Sequence, residues 1–298
     1  MHYQEIDVFN SKYKIKANLK IPSNEDSKLG IILAHGGIVN RQSLIRNGYS
    51  LGDYLCKELD AYVISPDFLG DTIHYNDQSY ENFSEILNIT SDYLVETYGL
   101  NNLMGFGHSL GSFILSKSLE TNNYLSSIVT YGGPIRELYG TRQTSFISYL
   151  INYLTSYDYS INIKNMIGRI FDEETCRYLE NVMLKDDEYC SNNYVFDFNS
   201  NLFKYFKEIV DNYLDSINIW NKPALLLFGT NDRITKRTLN YYKNKQLDPN
   251  IQIKEIPNAS HITPCMASKY QLSKLRPIVD FYKSLVNPSR KQYVSHKT

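Results

Sequence analysis

LMGFGHSLGSFILSKSL, residues 103–119, places an apolar run, a serine between two glycines and a second apolar segment in direct succession. The first part predicts a buried strand over 103–106, and the last part predicts a helix over 110–119. Between them lies a G-x-S-x-G pattern centred on Ser109. A serine on so tight a turn leaves no room for side chains two residues before and after it, and the two glycines supply that room. The pattern therefore predicts that the Ser109 hydroxyl is lifted clear of a sheet, where it is a candidate nucleophile.

The surrounding sequence alternates short apolar runs with segments of helical spacing, which is typical of βαβ units and a sheet covered on both faces. Period-two patterning in 3–9 and 13–21 predicts a hairpin at an antiparallel edge of that sheet. The predicted fold class is α/β, a mostly parallel eight-stranded sheet flanked by helices. Buried strands are predicted at 30–34, 61–65, 103–106, 127–131, 224–228 and 251–256, and helices at 83–95, 110–119 and 275–285.

Residues 134–220 interrupt this alternation, because they contain no convincing buried strand. Their apolar residues recur with helical spacing over 146–154, 176–183 and 202–213. Asp172 precedes one of these apolar stripes and is a predicted N-cap. So long a connection between neighbouring strands is unusual. We therefore predict a helical insertion over 134–220, after the sixth strand, and a core formed by 1–133 and 221–298.

A serine hydroxyl needs a base to take its proton near neutral pH, and His261 is the histidine best placed to act. The other five histidines lie in terminal segments, in a polar loop or in backbone turns, whereas His261 follows the last predicted strand. Loops at the carboxyl ends of parallel strands are where open α/β sheets place functional groups. A lone histidine is more often structural, but the position of His261 after Ser109 in the chain favours a catalytic base.

The base in turn needs a carboxylate that orients it, and Asp232 is the predicted acid. It ends the sequence LLLFGTND, residues 225–232, in which a predicted buried strand runs into a turn. Asn-Asp after glycine is also ordinary turn chemistry, so a capping role for Asp232 is the alternative, with Asp215 as the fallback acid.

The sequence His35-Gly36-Gly37 follows the strand predicted at 30–34 and suggests a loop whose backbone faces the serine. The N–H groups of Gly37 and Leu110 are the predicted donors to a developing oxyanion. Taken alone, an HGG sequence is equally compatible with a flexible turn.

The composition argues against several other classes of protein. The 298 residues include 31 Lys plus Arg and 32 Asp plus Glu, and this formal net charge of −1 disfavours nucleic acid or an anionic membrane as partner. No run of eighteen apolar residues occurs and the N-terminus lacks an apolar core of signal-peptide length, so we expect a cytoplasmic protein without membrane insertion. Four scattered cysteines indicate reduced thiols. Zinc-protease, phosphate-loop and dinucleotide motifs are missing or incomplete, so we expect neither a metal nor a cofactor.

With these residues assembled, the chain resembles the α/β-hydrolase superfamily, whose catalytic residues follow the chain order of Ser109, Asp232 and His261. The resemblance extends over nearly the whole chain. It includes SPDFLGD at 65–71, which is similar to a loop common after the fourth strand, and there we expect Asp67 to form a turn. Ser112 departs from the Gly or Ala that many members have behind the serine turn.

The resemblance implies a serine hydrolase that cleaves the carboxylic ester of a small-molecule acyl substrate through an acyl-enzyme on Ser109. Thioesterase, acyltransferase and amide or peptide hydrolase activities use the same three residues and stay open. A non-catalytic ligand receptor of the same fold is a remote alternative. Residues 134–220 would form a lid. Substrate contacts are predicted at His108 and at aromatic residues of the lid, although such stripes more often pack an insertion onto the body: Phe146, Tyr149, Tyr153, Tyr205 and Phe206.

Overall fold

The computed structural model describes residues 1–37, 39–68, 79–133, 160–162, 171–181, 195–197, 213, 216–244 and 247–286. The strands in these residues are β1 (His2–Phe9), β2 (Lys14–Ile21), β3 (Leu29–Ala34), β4 (Tyr62–Pro66), β5 (Asn102–His108), β6 (Leu125–Tyr131), β7 (Ser160–Asn162), β8 (Val195–Asp197), β9 (Ala224–Gly229) and β10 (Ile251–Ile256). Eight of them form one sheet in the order β1-β2-β4-β3-β5-β6-β9-β10, and β7 and β8 form a separate pair.

The edge of the large sheet is the antiparallel hairpin that the alternating patterning predicts, with Ile6 of β1 opposite Ala17 of β2. β2 also pairs antiparallel with β4, and the remaining neighbours in this sheet run parallel. Every residue of β3, β4 and β9 is buried, as expected of parallel strands that helices cover on both faces. The predicted α/β class, with a mostly parallel eight-stranded sheet, is confirmed.

Helices cover the sheet on two sides, with Ile32 of β3 packed in one apolar cluster and its neighbours Ile31 and Leu33 in the other. The first cluster includes side chains of α2 (Tyr80–Tyr98) and α3 (Leu110–Ser118). The second includes side chains of α1 (Leu51–Leu59) and α7 (Arg276–Val286). None of the described helices combines the length and the apolar character that a membrane-spanning helix requires. Their bounds are α1 Leu51–Leu59, α2 Tyr80–Tyr98, α3 Leu110–Ser118, α4 Glu173–Asn181, α5 Lys236–Lys243, α6 Lys269–Ser273 and α7 Arg276–Val286.

The segment 134–220 is described only in part, and it differs from the purely helical prediction. β7 and β8 lie within it and pair antiparallel. Strands of three residues are too short to show a period of two, so the sequence pattern did not reveal them. The predicted helix after Asp172 is present as α4. The helices predicted from the apolar stripes at 146–154 and 202–213 lie outside the described residues, except for Tyr213, whose hydroxyl donates to Thr130 Oγ1 at 2.7 Å.

Candidate active site

Ser109 occupies the turn between β5 and α3 in a backbone conformation that few side chains adopt, with φ 51° and ψ −117°. Its N–H donates to the Tyr131 carbonyl at 2.9 Å, which ties the turn to the end of β6. Leu110 is the first residue of α3, so its N–H is one of the four that have no partner within the helix. The tight serine turn that the sequence pattern predicts is therefore present.

The two glycines of the turn are required by close backbone contacts. A Cβ added at Gly111 would lie 2.0 Å from the Ala34 carbonyl oxygen. A Cβ added at Gly107 would lie 2.6 Å from the Gly111 carbonyl oxygen and from Ser112 Cα. Any side chain at these positions would force the backbone apart. The crowding inferred from the spacing of the motif is confirmed.

His261 and Asp232 form a buried pair at the carboxyl edge of the sheet. His261 Nδ1 lies 2.8 Å from Asp232 Oδ2, and the two residues are 4% and 0% exposed. Asp232 also accepts hydrogen bonds from Thr235 Oγ1 at 2.8 Å and from the Ile234 N–H at 2.9 Å. A carboxylate next to Nδ1 selects the tautomer that has its proton there, which leaves Nε2 free to accept one.

Burial by itself would raise the pKa of Asp232 and lower that of His261, because it disfavours the charged form of each. In Asp232, the charge and hydrogen bond of His261, joined by bonds from Thr235 and Ile234, outweigh burial and hold the pKa below its ordinary value. In His261, the charge and hydrogen bond of Asp232, with the charge of Asp172, outweigh burial and hold the pKa above its ordinary value. The pair is therefore set up to stabilise an imidazolium.

Gly132 lies between the serine turn and this pair. It follows Tyr131, which accepts the Ser109 N–H, and it has a left-handed φ of 64°. A Cβ added at Gly132 would lie 3.0 Å from His261 Nδ1 and 3.3 Å from Asp232 Oδ2. The loops that follow β5, β6, β9 and β10 thus lie at one edge of the sheet, where Tyr131 and Gly132 stand between the Ser109 turn and the His261–Asp232 pair.

His108, a predicted substrate contact, is buried and its ring packs against that of His261. It is 2% exposed, its Nε2 lies 2.8 Å from the His261 carbonyl oxygen, and Cys265 Sγ lies 3.6 Å from its Nδ1. Burial and the nearby charge of His261 lower the pKa of His108 to about 3, so the ring is neutral and its Nε2–H donates to the carbonyl. His108 thus supports the turn that contains His261. Its predicted contact with substrate stays a prediction.

The HGG loop lies beside the serine. A Cβ added at Gly36 would be 3.5 Å from Ser109 Cβ and 3.2 Å from His108 Nδ1. Gly37 follows and is half-buried. This placement brings the predicted oxyanion loop next to the start of α3, where Leu110 has its unpaired N–H. The donor roles of Gly37 and Leu110 remain predictions.

Arg41 anchors the region around this loop, and the sequence reasoning did not identify it. Its guanidinium forms an ion pair with the Asp67 carboxylate, and its backbone N–H donates to Asp67 Oδ1 at 2.8 Å. Arg41 Nε donates to Asn18 Oδ1 at 2.8 Å. Asp67 therefore joins two loops besides forming a turn. The three residues lie on separate elements, so no local pattern could indicate their contact.

The segment 134–220 contacts the candidate site at the start of α4. Asp172 Oδ2 accepts the backbone N–H of His261 at 3.2 Å, and the Phe171 ring lies 5.7 Å from the imidazole, centroid to centroid. The sequence indicated Asp172 only as a helix cap. Because 89 residues separate it from His261, spacing along the chain could not reveal this second contact.

A cavity of about 550 Å³ lies between α4 and the loops after β9 and β10, and its wall includes Asp172 and Asp232. Within the part of the chain that the structure describes, no group of three or more His, Cys, Asp or Glu side chains is arranged to hold a metal ion. The remaining predicted residues lie outside the described part of the chain: Phe146, Tyr149, Tyr153, Tyr205, Phe206 and the fallback acid Asp215.

Comparison with solved structures gives near full-length similarity to esterases. A highly thermostable carboxyl esterase from Bacillus coagulans has 16% identity and a TM-score of 0.66, with 96% of this chain and 99% of that chain covered. A thermophilic esterase from Thermogutta terrifontis has 16% identity and a TM-score of 0.65, with 96% and 98% covered. Est1E from Butyrivibrio proteoclasticus, with ferulic acid bound, has 13% identity and a TM-score of 0.60, with 94% and 99% covered.

The sequence matches no protein-family model and no curated protein. The similarity is therefore one of fold, and it covers both partners of each comparison almost completely. Together with the sheet order and the serine turn between β5 and α3, it shows that the chain has the α/β-hydrolase fold. The resemblance inferred from the sequence is confirmed at this level.

Proposed function

We propose that the protein is a serine hydrolase that cleaves carboxylic esters through an acyl-enzyme on Ser109. The observation that carries the proposal is the buried His261–Asp232 pair at 2.8 Å, next to a serine in a strained turn at the same edge of the sheet. A serine activated by an imidazole that a carboxylate orients is the arrangement used for acyl transfer on several unrelated folds. The esterase names of the similar structures support the ester as substrate class.

In the proposed reaction, Ser109 Oγ attacks the ester carbonyl carbon while His261 Nε2 takes the hydroxyl proton. Asp232 keeps the other imidazole proton on Nδ1 and stabilises the imidazolium. The N–H groups of Gly37 and Leu110 donate to the oxyanion, and each such donor contributes about 3 kcal/mol in comparable sites. His261 then gives its proton to the leaving alkoxide. Water, activated by the same imidazole, releases the acid and regenerates Ser109.

We further propose that residues 134–220 are an inserted cap that covers the serine and helps to form the substrate pocket. The segment follows the carboxyl end of β6, at the edge of the sheet where the candidate site lies, and it leads to the amino end of the parallel neighbour β9 at the opposite edge. Contacts of Asp172 and Phe171 with His261 support this position. Aromatic residues in the segment would give a pocket suited to an uncharged acyl substrate.

The proposal is tested with a fluorophosphonate probe and a panel of nitrophenyl esters graded by acyl length. We expect the wild-type protein to be labelled and to hydrolyse part of the panel, and Ser109→Ala to lose both activities. Ser116→Ala is the matched control, because Ser116 lies on the same helix, is buried and donates only to the Phe113 carbonyl. Absence of labelling in the wild type, or equal labelling of Ser109→Ala, would contradict the proposal and favour a ligand receptor.

The same assay separates the activities that share this chemistry. Transfer of the acyl group to an added alcohol or amine would indicate an acyltransferase, and faster turnover of thioesters would indicate a thioesterase. Cleavage of nitroanilides would indicate an amide or peptide hydrolase. An ester of ferulic acid belongs in the panel, since one of the similar structures has this acid bound.

A further inference from the structure

α4, which belongs to the insertion, packs on the segment of the body that contains His261. Tyr178 donates from its hydroxyl to the Cys265 carbonyl at 2.7 Å. Gln271 Nε2, on α6, donates to Glu174 Oε1 at 2.8 Å. The helix is therefore held to the chain at two points after His261, one in the turn that follows it and one on α6.

Asp172, immediately before α4, contacts the backbone of His261. Its Oδ1 accepts the Thr175 N–H at 2.9 Å, and its Oδ2 accepts from Thr175 Oγ1 at 2.8 Å and from the His261 N–H at 3.2 Å. One carboxylate thus caps the inserted helix and holds the backbone of the histidine. Asp172 is 6% exposed, so its charge interacts through protein rather than through water.

His261 is consequently placed between two carboxylates that reach it from different parts of the chain. Asp232, after β9, faces the ring nitrogen Nδ1, and Asp172, from the insertion, faces the backbone N–H. Their charges act in the same direction, and both raise the pKa of His261. Other titratable or charged groups near its ring or turn come from further elements: His108 of β5, Tyr131 of β6, Cys265 after β10, Arg46 bonded to the Cys265 carbonyl, and Tyr178 of α4.

We propose that Asp172 is a positioning residue through which the inserted segment holds the His261 turn and stabilises the imidazolium formed when Ser109 attacks. The inference rests on the proposed function for the role of His261 as base. It adds a fourth residue to the proposed set of Ser109, His261 and Asp232. This residue belongs to the insertion rather than to the body. Asp172 then links catalysis to the docking of the insertion, because it caps α4 and also holds the backbone of His261.

Asp172→Asn tests the proposal while it keeps the helix cap, because Asn is as good an N-cap as Asp. The amide oxygen can still accept the Thr175 N–H, whereas the amide nitrogen cannot accept the His261 N–H and the charge is lost. We expect kcat for a nitrophenyl ester to fall about tenfold, with a smaller change in KM. The acid limb of kcat/KM is expected to move to lower pH, because His261 loses a charge that favours its protonation.

Two control variants separate this role from a purely structural one. Glu173→Gln removes the exposed charge next to Asp172, which pairs with Arg177 at 3.8 Å. We expect the acid limb of kcat/KM to stay in place in this variant. Thr175→Val removes a hydroxyl bond to Asp172 but keeps the carboxylate beside His261. It should lower the thermal midpoint without moving the acid limb to lower pH. An equal shift in either control would overturn the proposal.

Titration of the His261 ring by NMR provides a readout that does not need turnover. The signal is assigned by its loss in His261→Asn, and its pKa is compared between wild type, Asp172→Asn and Glu173→Gln. We expect the largest decrease in Asp172→Asn, and Asp172→Ser, a second neutral cap, should behave alike. An unchanged His261 pKa in both neutral variants refutes the role of Asp172 even if Ser109 is the nucleophile. Loss of the proposed function alone would instead appear as a wild type without probe labelling.

Discussion

Two loops at the carboxyl edge of the sheet each hold a buried histidine next to an aspartate, yet they give these histidines opposite properties. After β3, His35 is 2% exposed with Nε2 at 3.7 Å from Asp67 Oδ1, and burial lowers its pKa despite the carboxylate. After β10, His261 is 4% exposed with Nδ1 at 2.8 Å from Asp232 Oδ2, and its pKa is raised. Burial is nearly the same, so it does not decide the difference.

The partners of the two carboxylates explain the contrast. Asp67 lies 3.7 Å from His35 and is paired with the Arg41 guanidinium, whose charge opposes protonation of His35, so burial outweighs the charge of Asp67. The bonds to Asp232 come from His261 itself and from neutral groups, and Asp172 adds a second negative charge. His35 is therefore held uncharged beside the predicted oxyanion donors, whereas His261 is suited to accept a proton.

The largest effect on kcat should come from replacing Asp232, the carboxylate that gives His261 a raised pKa. Asp232→Asn keeps the shape of the side chain but removes the charge that orients and stabilises His261. The corresponding substitution in a serine protease lowers kcat by about 10⁴-fold, and we expect a fall of that order for a nitrophenyl ester. The matched control is Asp67→Asn, the other carboxylate beside a buried histidine, for which kcat should fall far less. Equal losses in the two variants would contradict the assignment of the base.

Arg41→Met should raise the pKa of His35, as the pKa of His261 is raised, because it removes the cation that pairs with Asp67. Removing one partner of a buried ion pair leaves an uncompensated charge, which destabilises a protein by about 3–5 kcal/mol. We expect this loss in urea denaturation, together with a higher pKa of His35 in an NMR titration, because Asp67 then acts on the imidazole alone. Lys14→Met is the control, since the Lys14–Asp7 pair is exposed and should contribute about 1 kcal/mol or less. A His35 pKa that does not rise would show that Arg41 is not what neutralises Asp67.

A smaller effect is expected at His108, where burial and the charge of His261 outweigh the charge of Asp232 and lower the pKa. The folded protein keeps His108 neutral down to about pH 3, whereas the unfolded chain takes up this proton below the ordinary value of 6.5. Stability from this group is thus complete above pH 6.5 and is lost as pH falls, by about 2 kcal/mol between pH 6.5 and 5.

His108→Gln removes the titration and retains a donor for the His261 carbonyl. Urea denaturation at pH 7 and pH 5 should therefore show a smaller acid-induced loss of stability in the variant, and KM should change little because His108 is enclosed. A large rise in KM would instead support the prediction that His108 contacts substrate.

Much of the fold was predictable from local pattern. The apolar run, the glycine-bounded Ser109 and the following helix identify strand, turn and helix because each is determined by spacing over a few residues. Gly99 ends α2 in a left-handed conformation, as its position after the apolar stripe indicates. The three-residue strands β7 and β8 were missed because they are shorter than the period needed to recognise them.

The sequence by itself determined the order of the elements, the serine turn and the identity of the residues predicted to do the chemistry. Only the tertiary structure decided which charges act on which histidine. Arg41 and Asp67 are 26 residues apart, and Asp172 and His261 are 89 residues apart, so their contacts depend on how the chain packs. Electrostatic interaction depends on distance in space and on burial, and neither is encoded in local spacing. For this reason the sequence singled out His261 and Asp232, whereas only the packing showed that Asp172 contacts the backbone of His261.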